Sequence, residues 1–228
     1  MRLFAPQAVA ASNLKTCFKG NSLFLSNGAN VSARTDSSGV GNDVSTGSIF
    51  PTFVANAKNG FPAVSIPGTV DRSLTETSGS SLSTTAHTII SVFKPAINVN
   101  IAIMSIGAGD CCITDKVFSL LNDGAINTDV CNANSINLIT VLSSNTDYIA
   151  AVSSINNTGT PYLFLNGAIT VGTFAGNGSL TYTNGNPTMS IGKRSVENSG
   201  YFNGEIAEIL YFDTNLSDAN TQPLICYL

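Results

Sequence analysis

The amino-acid sequence predicts an all-β protein: an antiparallel, two-sheet jelly-roll sandwich with at most one short C-terminal helix. Short runs of β-branched and aromatic residues recur along the chain, and Gly, Asn, Asp or Pro bound each run. Helical periodicity does not separate these runs, which favours antiparallel sheets over alternating strands and helices. A length of 228 residues suits a single sandwich domain. We expect an N-terminal strand or arm at 1–16 and the domain at 17–228.

The clearest predicted strands lie in the middle and the C-terminal part of the chain. They are 87–94, 100–106, 117–121, 135–142, 148–155, 162–165, 168–174, 189–192 and 205–212. Asn166-Gly167 separates two of them and predicts a hairpin, because both central residues of a type I′ turn need positive φ. One helix start is predicted near 215–220, where Asn215 or Ser217 would cap it, and Pro223 limits its length.

The charge content excludes several functional classes. The chain has ten Lys and Arg residues and fourteen Asp and Glu residues, or 11% of its length, with one His and no Trp. So few cations do not make a dense phosphate-binding surface, so no nucleic-acid partner is expected. No apolar run reaches the roughly 18 residues of a membrane-spanning helix, and 43% apolar residues argue against disorder.

The first eleven residues resemble a secretory signal only loosely. Pro6 and Gln7 interrupt the apolar part, which leaves it shorter than the roughly 7–15 apolar residues that such a signal needs. We therefore expect the N-terminus to be retained.

Five cysteines make an odd count, and the absence of a CxxC motif argues against a zinc site. Two interpretations stay open. The cysteines are small buried hydrophobic residues, or some of them form disulfides. The candidate pairs join Cys17 to Cys226, and Cys131 to either Cys111 or Cys112.

Several stretches, in order along the chain, resemble one known family. They are 31–43 (VSARTDSSGVGND), 51–54 (PTFV), 59–64 (NGFPAV), 191–194 (IGKR), 201–212 (YFNGEIAEILYF) and 216–219 (LSDA). The patterns they resemble are V-S-x-W-x-D-x-S-G-x-G-N-D, P-T-[YF]-V, N-G-x-P-A-[VL], I-G-[KR]-R, F-x-G-x-I-A-E-[IV] and L-S-D-A-E. They are similar to laminin-G-like, concanavalin-A-like jelly-roll domains of bacterial and phage proteins, from about residue 17 to the last.

The resemblance implies two packed antiparallel sheets but no single activity, since this fold hosts lectins, adhesion modules, virion proteins and glycosidases. The chain departs from the family where early tryptophans are replaced, one by Cys17 or Phe18 and another by Arg34. Pro67 stands where an Asp is common. The core is therefore expected to be repacked.

Catalysis is not expected from the glutamates. A glycosidase needs two carboxyl groups about 5–9.5 Å apart, which on one strand means positions i and i+2. Strict alternation along 205–212 would place Glu205 and Glu208 on opposite faces. His87, the single histidine, opens a predicted strand and is interpreted as structural.

Two kinds of binding residue are predicted. Calcium needs six to eight oxygen ligands, and Asp36, Asp43 and Asp71 lie in predicted turns, while Asp110 and Asp115 form a second possible group. Asp in a turn also bonds its own backbone, which is the alternative. No other cofactor is expected. For glycans, Tyr182 and Tyr201 are the candidate aromatic platforms in Asn- and Gly-rich loops.

Two functions are open on the sequence alone. The first is a non-enzymatic decoration protein on a virion surface, of a phage, docking on other virion proteins or on copies of itself. A surface poor in charge favours it, because packing then desolvates few ions. The alternative is an extracellular carbohydrate-binding or adhesion module with surface glycans as partners.

Overall fold

The fold was taken from a computed structural model. It describes residues 12–47, 49–68, 70–76, 82, 86–96, 101–107, 116–120, 125–130, 134–154, 162–171, 173–176, 188–194, 200–217, 221 and 224. These residues form seventeen strands and one 3₁₀ turn (Gly20–Ser22), and the strands make two antiparallel sheets. The predicted two-sheet sandwich is therefore confirmed.

Sheet A contains eight strands in the part of the chain that the structure describes. They are β1 (Leu14–Lys19), β4 (Thr52–Lys58), β5 (Phe61–Ile66), β7 (His87–Pro95), β12 (Tyr148–Ser154), β13 (Tyr162–Leu165), β14 (Ala168–Val171) and β17 (Gly204–Phe212). Their order is β14-β13-β12-β7-β17-β5-β4. The edge of β17 opposite β7 is shared, because β5 pairs with its first residues and β1 with its last.

Sheet B contains nine strands over the same described ranges. They are β2 (Ala33–Arg34), β3 (Val44–Ser45), β6 (Leu74–Glu76), β8 (Ile101–Gly107), β9 (Lys116–Leu120), β10 (Ala125–Val130), β11 (Asn134–Val141), β15 (Thr173–Gly176) and β16 (Thr188–Ile191). Their order is β15-β11-β10-β9-β8-β16-β6-β3-β2.

The predicted strands agree with the structure except at one. Asn166 and Gly167 have φ angles of 48° and 86°, as a type I′ turn requires, and they join β13 to β14. The predicted strand 168–174 is instead two strands, β14 in sheet A and β15 in sheet B. Of the predicted C-terminal helix, one helical bond is described, from Thr221 N to Ser217 O at 2.9 Å.

The main hydrophobic core lies between the two sheets. Alternate residues of β7 and β17 in sheet A point into it, among them Phe93, Ile209 and Tyr211. Sheet B contributes Met104 and Met189 from its central strands. Each large apolar side chain buried in this way contributes about 1.5–3 kcal/mol.

The outer face of sheet A is divided into two zones. The C-terminal segment covers one of them, where Leu216 and Leu224 pack on a cluster that includes Ile90, Phe164 and Leu210. The other zone has a small apolar floor made by Ala63, Val92 and Ala207. None of the described residues after Phe212 lines this second zone, and a groove forms there.

A β-bulge in β17 changes which side chains point outward. The register with β7 shifts between Ile206 and Glu208, so Ala207 has no residue opposite it. Ile206 packs in the inner core and Ala207 in the outer cluster, and Glu208 lines the groove beside Ala207. The prediction that Glu205 and Glu208 face opposite ways was wrong. The bulge adds one residue, Ala207, so the side chains after it point to the face opposite the one that strict alternation predicts.

Candidate functional site

The candidate site is the groove on the open zone of the outer face of sheet A, which we call the outer groove. Its volume is about 530 Å³, within the range of small-molecule sites. Its lining residues are Asn21, Lys58, Asn59, Phe61, Pro62, Val92, Asp147, Tyr148, Ile149, Asn166, Ala207 and Glu208. Most of them come from five adjacent strands, β12, β7, β17, β5 and β4, and from the residues at their ends, while Asn21 lies in the 3₁₀ turn after β1 and Asn166 in the turn between β13 and β14.

Two Asn-Gly turns contribute to the rim of the outer groove. Asn59 and Gly60 join β4 to β5 with φ angles of 47° and 88°, the same conformation as the turn at Asn166. The Oδ1 atom of Asn166 accepts a hydrogen bond from Ile149 N at 2.9 Å. This bond orients the amide, so its Nδ2 group remains a donor for a bound molecule.

Phe61 is the aromatic side chain that the outer groove offers to solvent. It follows directly after the Asn59-Gly60 turn and is 60% exposed. The other aromatic lining residue, Tyr148, is buried, and its hydroxyl accepts a hydrogen bond from Ser143 N at 2.8 Å. An exposed phenyl ring costs free energy in water. The Phe61 ring lines the same groove as Val92 and Ala207 of the apolar floor.

A chain of alternating charges closes one end of the outer groove. Lys58 is buried and contacts both Asp147 and Glu205, the second at 3.0 Å. Glu205 also pairs with Lys94 at 3.1 Å. The two lysines and two carboxylates balance, so this end of the groove is polar without net charge.

Glu208 lines the outer groove beside Ala207. Its Oε2 atom is buried and accepts no hydrogen bond from the described residues. Burial raises the pKa of the Glu208 carboxyl, against the smaller opposing effects of Lys19 and Arg34. Desolvation therefore makes ionisation of this carboxyl more costly than in water.

We expect Glu208→Gln to raise the melting temperature at neutral pH by about 2–4 °C. The pKa of Glu208 in the folded state lies above the usual 4.5, so the folded protein holds this proton more tightly than the unfolded chain does. The stability of the folded state therefore falls as the pH rises from 4.5 through the folded-state pKa. The amide does not ionise, so the gain should vanish below pH 4.5. Thermal unfolding across this pH range is the measurement.

Glu205→Gln is the matched control for this prediction. It removes the anion that Lys58 and Lys94 share, so its melting temperature should fall at neutral pH. A fall in both variants would mean that Glu208 is stabilised as a carboxylate.

The two predicted aromatic platforms lie away from the outer groove or outside the described residues. Tyr201 is half-buried and does not line the groove. Burial and the nearby Asp71 raise the pKa of its hydroxyl. Tyr182 lies outside the described residues, so glycan binding at these tyrosines stays a prediction.

The structure brings two of the three predicted calcium ligands together. Asp43 Oδ1 accepts from Asp36 N at 2.7 Å, whereas Asp71 bonds Ser73 and pairs with Lys193 at 3.0 Å. Over the described ranges, no group of three or more His, Cys, Asp and Glu side chains is placed to hold one metal ion. Asp110 and Asp115 lie outside those ranges, and calcium binding stays a prediction.

The other singled-out side chains lie in packed surroundings. Cys17 is a buried free thiol whose pKa burial raises to about 11. The remaining predicted disulfide partners, Cys111, Cys112, Cys131 and Cys226, lie outside the described residues, so the pairings stay predictions. His87 is buried, and its ring stacks on Tyr211 with centroids 6.2 Å apart.

Sequence reasoning missed Phe61 and the amides around it. Trp and Tyr were the residue types considered as platforms for sugars, and Phe61 was not. The Asn59-Gly60 pair directly before Phe61 is nevertheless the same hairpin signal as Asn166-Gly167. An apolar residue directly after a tight turn is poorly placed for burial. The position of Phe61 directly after a predicted turn therefore indicated that its ring is exposed.

Comparison by sequence identifies no relatives. No family model matches the chain, and no curated protein matches it. The laminin-G-like assignment therefore stays a resemblance.

Solved structures with the same fold are similar along most of the chain. Domain 4 of AbnA, an extracellular arabinanase of Geobacillus stearothermophilus, in complex with arabinotriose, is 15% identical with a TM-score of 0.66, and the match covers 93% of this chain and 98% of that one. A GH54 α-L-arabinofuranosidase has a TM-score of 0.67 at 11% identity, covering 94% and 58%. The binding domain of botulinum neurotoxin serotype D has a TM-score of 0.62 at 12% identity, covering 97% and 52%.

These similarities place the chain among β-sandwich domains and show the fold. The chain spans only about half the length of the last two proteins. Among the described residues, no helix is long and apolar enough to cross a membrane.

Proposed function

We infer that this protein is an extracellular carbohydrate-binding module that holds an oligosaccharide in the outer groove. The observation that carries this proposal is the pairing of an exposed Phe61 ring with a floor of Val92 and Ala207 and a rim of amides. A sugar ring presents C–H groups on its faces and hydroxyls at its edge. The groove supplies apolar contacts for the first and hydrogen-bonding groups for the second.

The geometry of the groove also suits an extended ligand. It crosses five strands of sheet A, and neighbouring strands lie about 4.8 Å apart, so β12 and β4 are separated by about 19 Å. That length exceeds one sugar ring. Domain 4 of AbnA, which shares the fold, is solved in complex with a trisaccharide, arabinotriose, which makes that sugar a suitable first probe.

We expect Phe61→Ala to weaken oligosaccharide binding about tenfold, which corresponds to about 1.4 kcal/mol of lost aromatic packing. Isothermal titration calorimetry against arabinotriose and a panel of other neutral oligosaccharides is the measurement. Because the Phe61 side chain is 60% exposed, the variant should keep the wild-type melting temperature.

Phe24→Ala is the matched control, since Phe24 is 96% exposed and does not line the outer groove. It should bind as the wild type does. Equal loss in both variants, or no loss in either, would place the sugar elsewhere on the protein.

Binding without hydrolysis is part of the proposal. Glu205 and Glu208 face the same way, so their orientation does not argue against catalysis, but Glu205 is occupied by ion pairs with Lys58 and Lys94 and does not line the groove. Unchanged arabinotriose after long incubation with the protein, followed by chromatography, is the expected result.

A decoration role on a virion is the second candidate. The exposed Phe24 favours it, because a free apolar side chain outside the groove suits contact with another protein. Recovery of the chain from purified virions is the test. The two roles are compatible, since a virion protein can also bind host glycans.

A further inference from the structure

The charged side chains around the outer groove are held in ion pairs. Lys58 is the lysine among the described lining residues, and its ammonium contacts Asp147 and Glu205, the second at 3.0 Å. The Lys58 side chain is only 8% exposed. A carboxylate on a ligand would have to displace one of two protein carboxylates to reach it.

The rest of the groove lining adds acidic groups. Asp147 is 59% exposed at the rim, and Glu208 lies beside Ala207. Lys94 is already paired with Glu205 at 3.1 Å. An anionic sugar entering this site would lose water without gaining an unpaired cation from the described lining residues, and it would approach Asp147 and Glu208 directly.

We propose that the outer groove selects neutral oligosaccharides and excludes glycans that carry carboxylates, such as sialylated or uronic-acid-containing chains. This inference rests on the proposed function, and it adds the class of ligand. The selectivity has two sources. The amide rim and the Phe61 ring attract a neutral chain, whereas an acidic chain would meet the carboxyl groups of Asp147 and Glu208 and lysines that are already paired.

The first experiment compares ligands on the wild-type protein. Titration calorimetry with arabinotriose and neutral xylo- and gluco-oligosaccharides is set against titration with sialyllactose and oligogalacturonate at the same ionic strength. At least one neutral ligand should bind at least about tenfold more tightly than either acidic one. Tighter binding of an acidic ligand would overturn this inference and leave the proposed function standing. If none of the glycans binds, both the inference and the proposed function are overturned.

The second experiment changes the charge of the site. Asp147→Asn removes one of the two carboxylates on Lys58 and should raise the affinity for sialyllactose by about fivefold or more, with little change for neutral ligands. Asp213→Asn is the matched control, because Asp213 pairs with Lys15 and does not line the groove. An equal gain in both variants would mean that net charge, rather than the groove, sets the selectivity, and would overturn the inference.

Discussion

Asp36→Ala is expected to lower the free energy of unfolding by about 3–5 kcal/mol. The carboxylate of Asp36 accepts hydrogen bonds from Cys17 N at 2.8 Å and Ser38 N at 2.9 Å through Oδ1. Its Oδ2 accepts from Ser38 Oγ at 2.6 Å, Asn42 N at 3.1 Å and Gly41 N at 3.2 Å. Alanine would leave these donors without their acceptor, and the amide of Cys17 is inside strand β1.

Two further variants, compared by urea unfolding, test this prediction. Asp36→Asn keeps one acceptor oxygen and should lose about half as much as alanine. Asp43→Asn keeps the oxygen that accepts from Asp36 N and should stay within about 0.5 kcal/mol of wild type. Urea unfolding with an unchanged m-value is the measurement.

The same protein tests the calcium prediction. If the hydrogen-bond network is the whole role of Asp36, neither calcium nor a chelator should move the wild-type melting temperature. A melting temperature that rises with calcium would show that these carboxylates bind the ion as the sequence predicted.

The strands could be predicted because their chemistry is local. Alternation and turn residues are written in the sequence, and Asn166-Gly167 adopts the turn that its residue types require. The run 168–174 was predicted as one strand because β-branched residues lie on both sides of Gly172, although that glycine stands between β14 of sheet A and β15 of sheet B. Propensity indicates a strand but not the sheet it joins.

The outer groove could not be predicted because its residues meet only through sheet order. Lys58, Asp147 and Glu208 are far apart in the sequence and converge because β12, β7, β17, β5 and β4 are neighbours. The bulge at Ala207 was equally invisible, since a single inserted residue leaves the run of apolar residues intact while it reverses which faces they occupy.

Arg34 stands where the resembling pattern has a tryptophan, and the sequence did not predict that its side chain is buried. Arginine is rarely fully buried, yet Arg34 is 1% exposed and is the largest of the fully buried side chains among the described residues. It extends from β2 in sheet B to β17 in sheet A, where its Nη2 donates to the carbonyl of Ala207 at 3.1 Å. Its guanidinium lies 5.5 Å from the centre of the Phe18 ring.

The buried guanidinium is incompletely satisfied. Its Nε and Nη1 atoms have no hydrogen-bond partner within the described ranges, and burial lowers the pKa of Arg34 to about 10. The side chain therefore stays charged at neutral pH in an apolar core. The Arg34 side chain fills volume in the core and contacts Phe18. It also donates a hydrogen bond to the carbonyl of Ala207, the bulge residue that has no residue opposite it in β7.

We expect Arg34→Ala to lower the free energy of unfolding by about 3–5 kcal/mol, because it leaves a large cavity between the sheets and an unpaired carbonyl at Ala207. Arg34→Met fills most of that volume and removes the unpaired charge, so its stability should lie within about 1 kcal/mol of wild type or above it. Urea unfolding of the two variants, measured side by side, separates volume from hydrogen bonding. Equal losses in both would assign the stability to the bond with Ala207, and no loss in alanine would mean that the core closes around the missing side chain.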